Sequence, residues 1–327
     1  MQLSDPPSAS GSAAVPLAQS APAWPVARAS LELVLDIEAI GRRRRNHDLI
    51  DGVLFAAVLA ANLTLVQRDP DLQRAYATID QPAPEHLRRP VSVNGVAHSL
   101  GMPFETVRRR IRAMVEAGLL TATPRGVYVP GSVLLEPVTV ATLLDRHARL
   151  HQFYRDVQSA GVLADLPGAD PSAGPPAEPV RITNRALAEY FLRAIDGPVR
   201  LAGDILTGLV LVGMVRENLA PLNAAQVRAW ATNPAAHGAP IRTGALAERL
   251  GLSRETCRRY ALALEAAGLC RRTDDGLLAV AGADVRAQLD EMAAANLTNV
   301  QRLFARLGQL GVLAHWDAEP PAWRAVG

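Results

Sequence analysis

The side chains best equipped for recognition chemistry fall in two short clusters. Residues 254–259, RETCRR, place Arg254, Glu255, Thr256, Arg258 and Arg259 within two helical turns, and residues 104–109, FETVRR, place Glu105, Thr106, Arg108 and Arg109 in the same order. On a helix, side chains three and four positions apart share a face, so each cluster projects a guanidinium-rich face from a helix start. An arginine fork matches the paired acceptors of guanine, and a glutamate accepts from the amino group of cytosine. This is the chemistry of reading base edges, not of making bonds. The chain has no P-loop, no glycine-rich dinucleotide turn, no HExxH and no GxSxG, so neither an enzyme nor a cofactor is expected.

The two clusters belong to a longer internal repeat. VNGVAHSLGMPFETVRRRIRAMVEAGLL in the first half returns as TGALAERLGLSRETCRRYALALEAAGLC in the second, with Gly101 falling on Gly251, 150 positions on. The same shift pairs Gly118 with Gly268, Gly126 with Gly276, and the GVLA beginning at Gly161 with that at Gly311. Upstream, RAYAT (Arg74–Thr78) matches RAWAT (Arg228–Thr232) at a shift of 154. Self-similarity at a fixed period marks repeated architecture. The expected fold is mainly α with small β wings, built as two winged helix-turn-helix domains by internal duplication.

The elements that must position the clusters follow from the apolar spacing. In the second copy Leu246, Ala247 and Leu250 form the inner face of a first helix, Gly251 makes the turn, and Ser253 caps a second helix whose Cys257, Ala261 and Leu264 point inward. That leaves Arg254, Glu255, Arg258 and Arg259 outward. Turns at Thr123–Gly126 and Thr273–Gly276 between apolar residues predict hairpin wings, on which Arg125, Arg271 and Arg272 would meet backbone phosphates. Leu54, Val58, Ala61 and Leu65, and in the second copy Ile205, Leu209, Val212 and Val215, keep the period of a buried helix.

LGLSRETCRRYALALEAAGL resembles the winged helix-turn-helix of bacterial regulators, particularly the cyclic-AMP-receptor/Fnr family, and is similar to GntR- and MarR-type readers. The resemblance implies sequence-specific binding of double-stranded DNA and transcriptional regulation, with Arg254, Glu255 and Arg259 at base-contacting positions. In the first copy Glu105 and Arg109 match, while Phe104 replaces the arginine. The two readers would then prefer different half-sites. No β-rich cyclic-nucleotide domain precedes either unit, so that family's effector does not carry over. The order of elements is also similar to MarR-family subunits, which implies either an intramolecular pseudo-dimer, with Leu143, Leu150, Phe153 and Val157 packed near Val300, Leu303 and Leu307, or a homodimer with four readers. Two other uses of the same fold stay open: a plasmid-type replication initiator, and a scaffold in a segregation or secretion assembly that does not read DNA.

Other candidate residues have plainer readings. Arg42–Arg45 could grip phosphate or simply be a solvated helix end. Cys257 and Cys270 lie outside any paired metal spacing and align with Val107 and Leu120, so they read as small core hydrophobes before redox sensors. His147 and His151 have the helical spacing of a metal pair, but their counterparts are Leu297 and Gln301, and no metal is expected. Tyr76 and Trp230 recur at matched positions, where they would pack in a core or line the pocket of a small-molecule effector. The two AANLT stretches, at Ala60 and Ala294, fall at unmatched places and read as chance.

Composition frames this reading. The 327 residues carry a net charge of only +2, so any basic surface must be local. All 34 basic residues are arginine. The boundaries are a disordered tail over 1–30, repeats over 31–164 and 183–316, a Pro/Gly/Ala-rich linker over 165–182, and a tail over 317–327. No signal peptide or membrane span is read, and the expected location is cytoplasmic, with the nucleoid.

Overall fold

The computed structural model describes residues 23–45, 47–164, 166 and 178–318. Most of the expected tails and the centre of the expected linker (167–177) lie outside the described residues. The first half runs α1 (Ala23–Arg45), α2 (Leu49–Asn62), α3 (Thr64–Arg68), α4 (Pro70–Ala75), a short 3-10 turn, α5 (Val93–Ser99), α6 (Phe104–Glu116), β1 (Thr121–Thr123), β2 (Gly126–Tyr128), α7 (Gly131–Leu135) and α8 (Pro137–Ser159). The second runs α9 (Val180–Ala202), α10 (Ile205–Leu219), α11 (Ala224–Thr232), α12 (Pro234–His237), α13 (Thr243–Leu250), α14 (Arg254–Ala266), β3 (Cys270–Thr273), β4 (Gly276–Ala279), α15 (Ala283–Gln309) and α16 (Val312–Ala318). The chain is mainly helical, with two small antiparallel sheets, β1–β2 and β3–β4.

Two boundaries differ from those read in the sequence. Helix α1 starts at Ala23, inside the expected tail, and buries Ala23, Val26 and Ser30. Helix α9 starts at Val180, inside the expected linker, and buries Val180, Arg181 and Ile182. The physical reason is tertiary. Averaged over thirty residues the start of the chain looks Ser/Ala/Pro-rich, yet Trp24 finds Trp230 of the second half, edge to face at 5.6 Å, and donates from Nε1 to Asp290 at 3.0 Å. Pro25 lies in the first turn of α1, where a missing N–H costs nothing.

The first helix of each half reaches into the other half. The Arg28 guanidinium on α1 donates to the Leu222 and Ala220 carbonyls, while Arg185 on α9 donates to those of Tyr76 at 2.9 Å and Gln73 at 3.0 Å. Between these crossings lies one continuous core. Leu33, Val34 and Ile37 of α1 join Leu150, Phe153 and Val157 of α8, Tyr190 and Phe191 of α9, and Val300, Leu303, Phe304 and Leu307 of α15. Phe153 meets Phe304 with ring centres 5.8 Å apart. Of the terminal-helix residues paired in the sequence reading, Leu150, Phe153, Val157, Val300, Leu303 and Leu307 share this core within one chain, and Leu143 stands outside it.

No single helix is long and apolar enough to cross a membrane; α9 and α10 pass that test only as a pair bent by 101°. Helix α10 is instead buried along most of its length, including Leu209, Val210 and Met214 at 0% exposure.

A second duplicated feature connects each apolar helix to its hairpin. Asn62, near the end of α2, donates to the Arg89 and Val127 carbonyls at 2.7 and 3.1 Å and accepts from the Val129 N–H at 3.0 Å. Asn218, near the end of α10, donates to the Ala239 and Leu277 carbonyls at 2.7 and 3.1 Å and accepts from the Ala279 N–H at 2.8 Å. Both side chains are fully buried. A buried carboxamide is tolerable only when its polar atoms are paired, and here the partners are the strand that carries the hairpin. Each hairpin is widened by a bridge, Val91 to Val127 and Ile241 to Leu277. Gly126 and Gly276, at φ +132° and +144°, sit where an added Cβ would collide with the bridging backbone. Replacing Asn218 by Ala leaves the Ala239 carbonyl and the Ala279 N–H without this partner, while the Leu277 carbonyl keeps the Ile241 N–H, and should destabilise the fold by about 2–3 kcal/mol in equilibrium urea unfolding. A loss below about 1 kcal/mol would show that water replaces the amide and that the tie is dispensable.

Candidate nucleic-acid interface

The outward faces of α6 and α14 come from the same burial rhythm. Val107, Ile111 and Met114 are buried on α6, as are Cys257, Ala261 and Leu264 on α14. The intervening positions Phe104, Glu105, Arg108 and Arg109, and Arg254, Glu255, Arg258 and Arg259, are exposed. The preceding turns use glycine in the left-handed region, Gly101 at φ +62° and Gly251 at φ +63°. Only glycine enters that region freely, and this fixes how each exposed helix leaves its partner.

Within each face the first contact is internal. Arg108 forks onto Glu105 at 2.8–3.1 Å, and Arg258 onto Glu255 at 2.7–2.8 Å. These bonds from the neighbouring guanidinium hold both carboxyls below the usual carboxylate range and push both arginines further toward the charged state. Each pair is solvent-exposed, so water screens it and an incoming acceptor can displace the carboxylate. Arg259 lies over the Tyr260 ring, 5.0 Å from its centre. Arg109 has Arg110 as its neighbour instead, and Arg110 turns back to Asp48 and Asp51 at the start of α2.

The faces differ at their N-terminal ends. The Ser253 hydroxyl caps α14, accepting from the Thr256 N–H at 3.1 Å, and pairs with the Thr256 hydroxyl at 2.8 Å. Pro103 stands at the corresponding position before α6 and supplies no side-chain cap. Thr256 is therefore engaged in the cap rather than presented outward, and Thr106 is half-buried. Arg254 lies over Gly244, whose missing side chain leaves the space: an added Cβ there would come within 2.8 Å of the guanidinium. In the first half Asn94 and Phe104 take those two places, and Phe104 is 44% exposed.

The hairpins also differ in charge. Thr121–Thr123 pairs with Gly126–Tyr128, with exposed Arg125 at the turn. Cys270–Thr273 pairs with Gly276–Ala279, which places Arg271 and Arg272 along the strand. The turn lies at the expected Thr273–Gly276, with Asp274–Asp275 at its tip, and the Thr273 hydroxyl donates to the Gly276 carbonyl at 3.0 Å. An exposed acidic tip repels phosphate, so any backbone contact by this wing must run along Arg271 and Arg272.

The remaining candidates fall outside these faces. Arg44 pairs with Asp145 at 2.7 Å, Arg45 with Glu136 at 2.6 Å, and Arg42 donates to the Arg249 carbonyl at 2.9 Å beside the Gly251 turn. The basic run thus fastens α1 to α8 and to the Gly251 turn that precedes α14. His147 bonds Thr183 at 2.8 Å and His151 stacks on Trp316 at 4.7 Å. No group of three or more possible metal ligands occurs among the described residues. Both cysteines are buried, which pushes each thiol up to about 11. No family model, curated protein or solved structure matches the chain.

Two outcomes check this description. Ser253→Ala should cost about 1 kcal/mol of stability in denaturant unfolding, whereas Pro103→Ala, which removes no cap, should cost less. Because few thiolates exist well below the raised values, iodoacetamide at pH 8 should label neither cysteine in the native chain and both in urea. Rapid native labelling of Cys257 would place it at a reactive surface.

Proposed function

We propose that the chain is a sequence-specific reader of double-stranded DNA, composed of two winged helix-turn-helix units that arose by internal duplication, and that it regulates transcription. The observation that carries this reading is the repeated presentation of one exposed face. The same ordered set of Glu, Arg and Arg appears twice, 150 positions apart, on helices with the same buried side, each following a glycine turn and preceding a hairpin. A merely solvated helix has no reason to repeat an outward pattern along with its inward one.

In this proposal α6 and α14 enter major grooves. Arg109 and Arg259 reach base edges, and Glu105 and Glu255 hold Arg108 and Arg258 ready until phosphate or guanine displaces the carboxylate. Arg254 adds a contact that Phe104 cannot reproduce, so the two half-sites differ. Packing of the terminal helices within one chain supplies the geometry of a dimer without a second copy. Arg125 and the strand arginines Arg271 and Arg272 hold the flanking backbone.

A second reading, a winged-helix scaffold that contacts protein rather than DNA, draws on the acidic Asp274–Asp275 turn. The test separates the two. Selection from a random duplex library with the purified chain should enrich a two-part site with unequal halves. Arg259→Ala should weaken binding to the selected site by about 1–3 kcal/mol while relaxing preference in one half alone, and Arg109→Ala should do so in the other. Arg125→Ala should weaken all sequences alike. No enrichment at low salt, or equal losses on selected and random DNA for all the substitutions, would favour the scaffold.

A further inference from the structure

One large side chain on the outward face of α6 cannot form a hydrogen bond. Glu105, Arg108, Arg109 and Arg112 are exposed there, and Phe104 stands among them with 44% of its surface open. Of the five phenylalanines in the chain, Phe153, Phe191 and Phe304 are buried and Phe55 packs against the shared core. Phe104 is in none of the apolar clusters among the described residues, nor among the half-buried side chains that flank them. A ring left this open forgoes the burial that normally draws such side chains inside.

The other half shows that the fold does not need a ring here. At the shift of 150 the place is taken by Arg254, also exposed, and α14 keeps the same buried row and the same Glu–Arg fork. Helix α6 likewise buries Val107, Ile111 and Met114 without help from residue 104. The position is thus free of core packing in both halves. It is the first residue of each exposed helix, and the first turn of a recognition helix is the part that reaches base edges. The other exposed large apolar side chains among the described residues, Leu135, Leu144 and Leu262, lie on α7, on α8 and in the third turn of α14. None of them begins an exposed helix.

A benzene ring offers no donor or strong acceptor to a base edge. What it can do is bury an apolar group, and the major groove presents one, the C5-methyl group of thymine. 5-Methylcytosine carries the same group, whereas cytosine has a hydrogen in its place. An arginine at this position would instead donate to the paired acceptors of guanine.

We propose, resting on the reading of α6 and α14 as helices that enter major grooves, that Phe104 is the specificity-determining residue of the first half. Its ring packs on a pyrimidine C5-methyl group, at the place where Arg254 takes guanine in the other half-site. The unequal halves of the site then differ by a named chemical group. Glu105 and Arg108, whose exposed ion pair lies beside the ring's position, remain available to the neighbouring bases and phosphates.

The test uses the full chain and the duplex selected from a random library. Each thymine in the half-site assigned to α6 by Arg109→Ala is replaced in turn by deoxyuridine, which removes the methyl group and leaves the base's hydrogen-bonding groups intact. One position should lose affinity about fourfold, the worth of one buried methyl. At that position 5-methylcytosine should bind about fourfold tighter than cytosine; equal binding of these two would assign the contact to thymine alone, with the methyl still read. Phe104→Ala should bind the thymine and deoxyuridine duplexes equally, with an unchanged urea midpoint because residue 104 lies outside the core. Phe104→Arg should exchange the pyrimidine for guanine when selection is repeated. Indifference to deoxyuridine at every position, or a deoxyuridine effect that persists undiminished in Phe104→Ala, would overturn the role of Phe104 while leaving DNA reading in place. Failure of the native chain to enrich any duplex would overturn both.

Discussion

The structure depends on the mutual burial of four long helices, α1, α8, α9 and α15, because neither half closes a core without the other's first helix. Helix α1, with Leu33, Val34 and Ile37, would lose its packing on α10, α11 and α15 if the second half were removed, and α9, with Tyr190, Phe191 and Ile195, its packing on α8 and α2 if the first were. Burying a large apolar side chain is worth roughly 1.5–3 kcal/mol, and a core of this extent outweighs any single polar contact across the halves. Arg28, Arg181 and Arg185 then give the packing its register. Their guanidiniums reach main-chain carbonyls of the other half, Arg28 while also bonding Glu32 on its own helix, which favours one docking over slid alternatives. Burial accordingly holds Arg181 at about 10 and Arg185 at about 9, below the ordinary arginine value. Part of the packing energy therefore offsets the desolvation of charge.

Much of this was legible in the sequence, and the failures have physical causes. The glycine turns, the inward rows of α6 and α14 and the hairpin positions follow from local periodicity and from glycine at left-handed positions, so a single strand of text carries them. Burial of Cys257 and Cys270 followed from their aligned partners Val107 and Leu120. The start of α1 was missed because its stability comes from Trp230 and Asp290, more than two hundred residues away, and local composition is silent about that. Asn62 and Asn218 were missed for a different reason. Their shift of 156 differs from the 150 of the readers, so each looked like an isolated polar residue in an apolar helix, and Asn62 was absorbed into the AANLT likeness. The signal was present: one asparagine at the same place in both apolar helices, each before a hairpin whose strand needs three backbone groups satisfied.

The two repeats share geometry more strictly than charge. The two candidate faces share their buried side, their turn and their Glu–Arg fork, whereas Phe104 against Arg254, Pro103 against Ser253, and Arg125 against Asp274–Asp275 have diverged. Backbone-determining residues are constrained by packing, and each substitution there is felt by many neighbours. Surface residues answer to fewer contacts and drift apart sooner. The protein is symmetric in its carbon frame and asymmetric in its chemistry.

The crossing of α1 also bears on how the chain comes into being. As the ribosome delivers residues in order, α1 emerges before the groups that hold its N-terminal end, Trp230, Asp290 and the Leu222 carbonyl, which all belong to the second half. For most of synthesis its apolar face has only α8 and α2 to cover it. A nascent chain of this kind exposes hydrophobic surface until the second half is complete, which is the situation that recruits chaperones. The same dependence makes division of the gene into two separate products costly. Because each half relies on the other's first helix, the two halves can differ in chemistry but must be made as one chain.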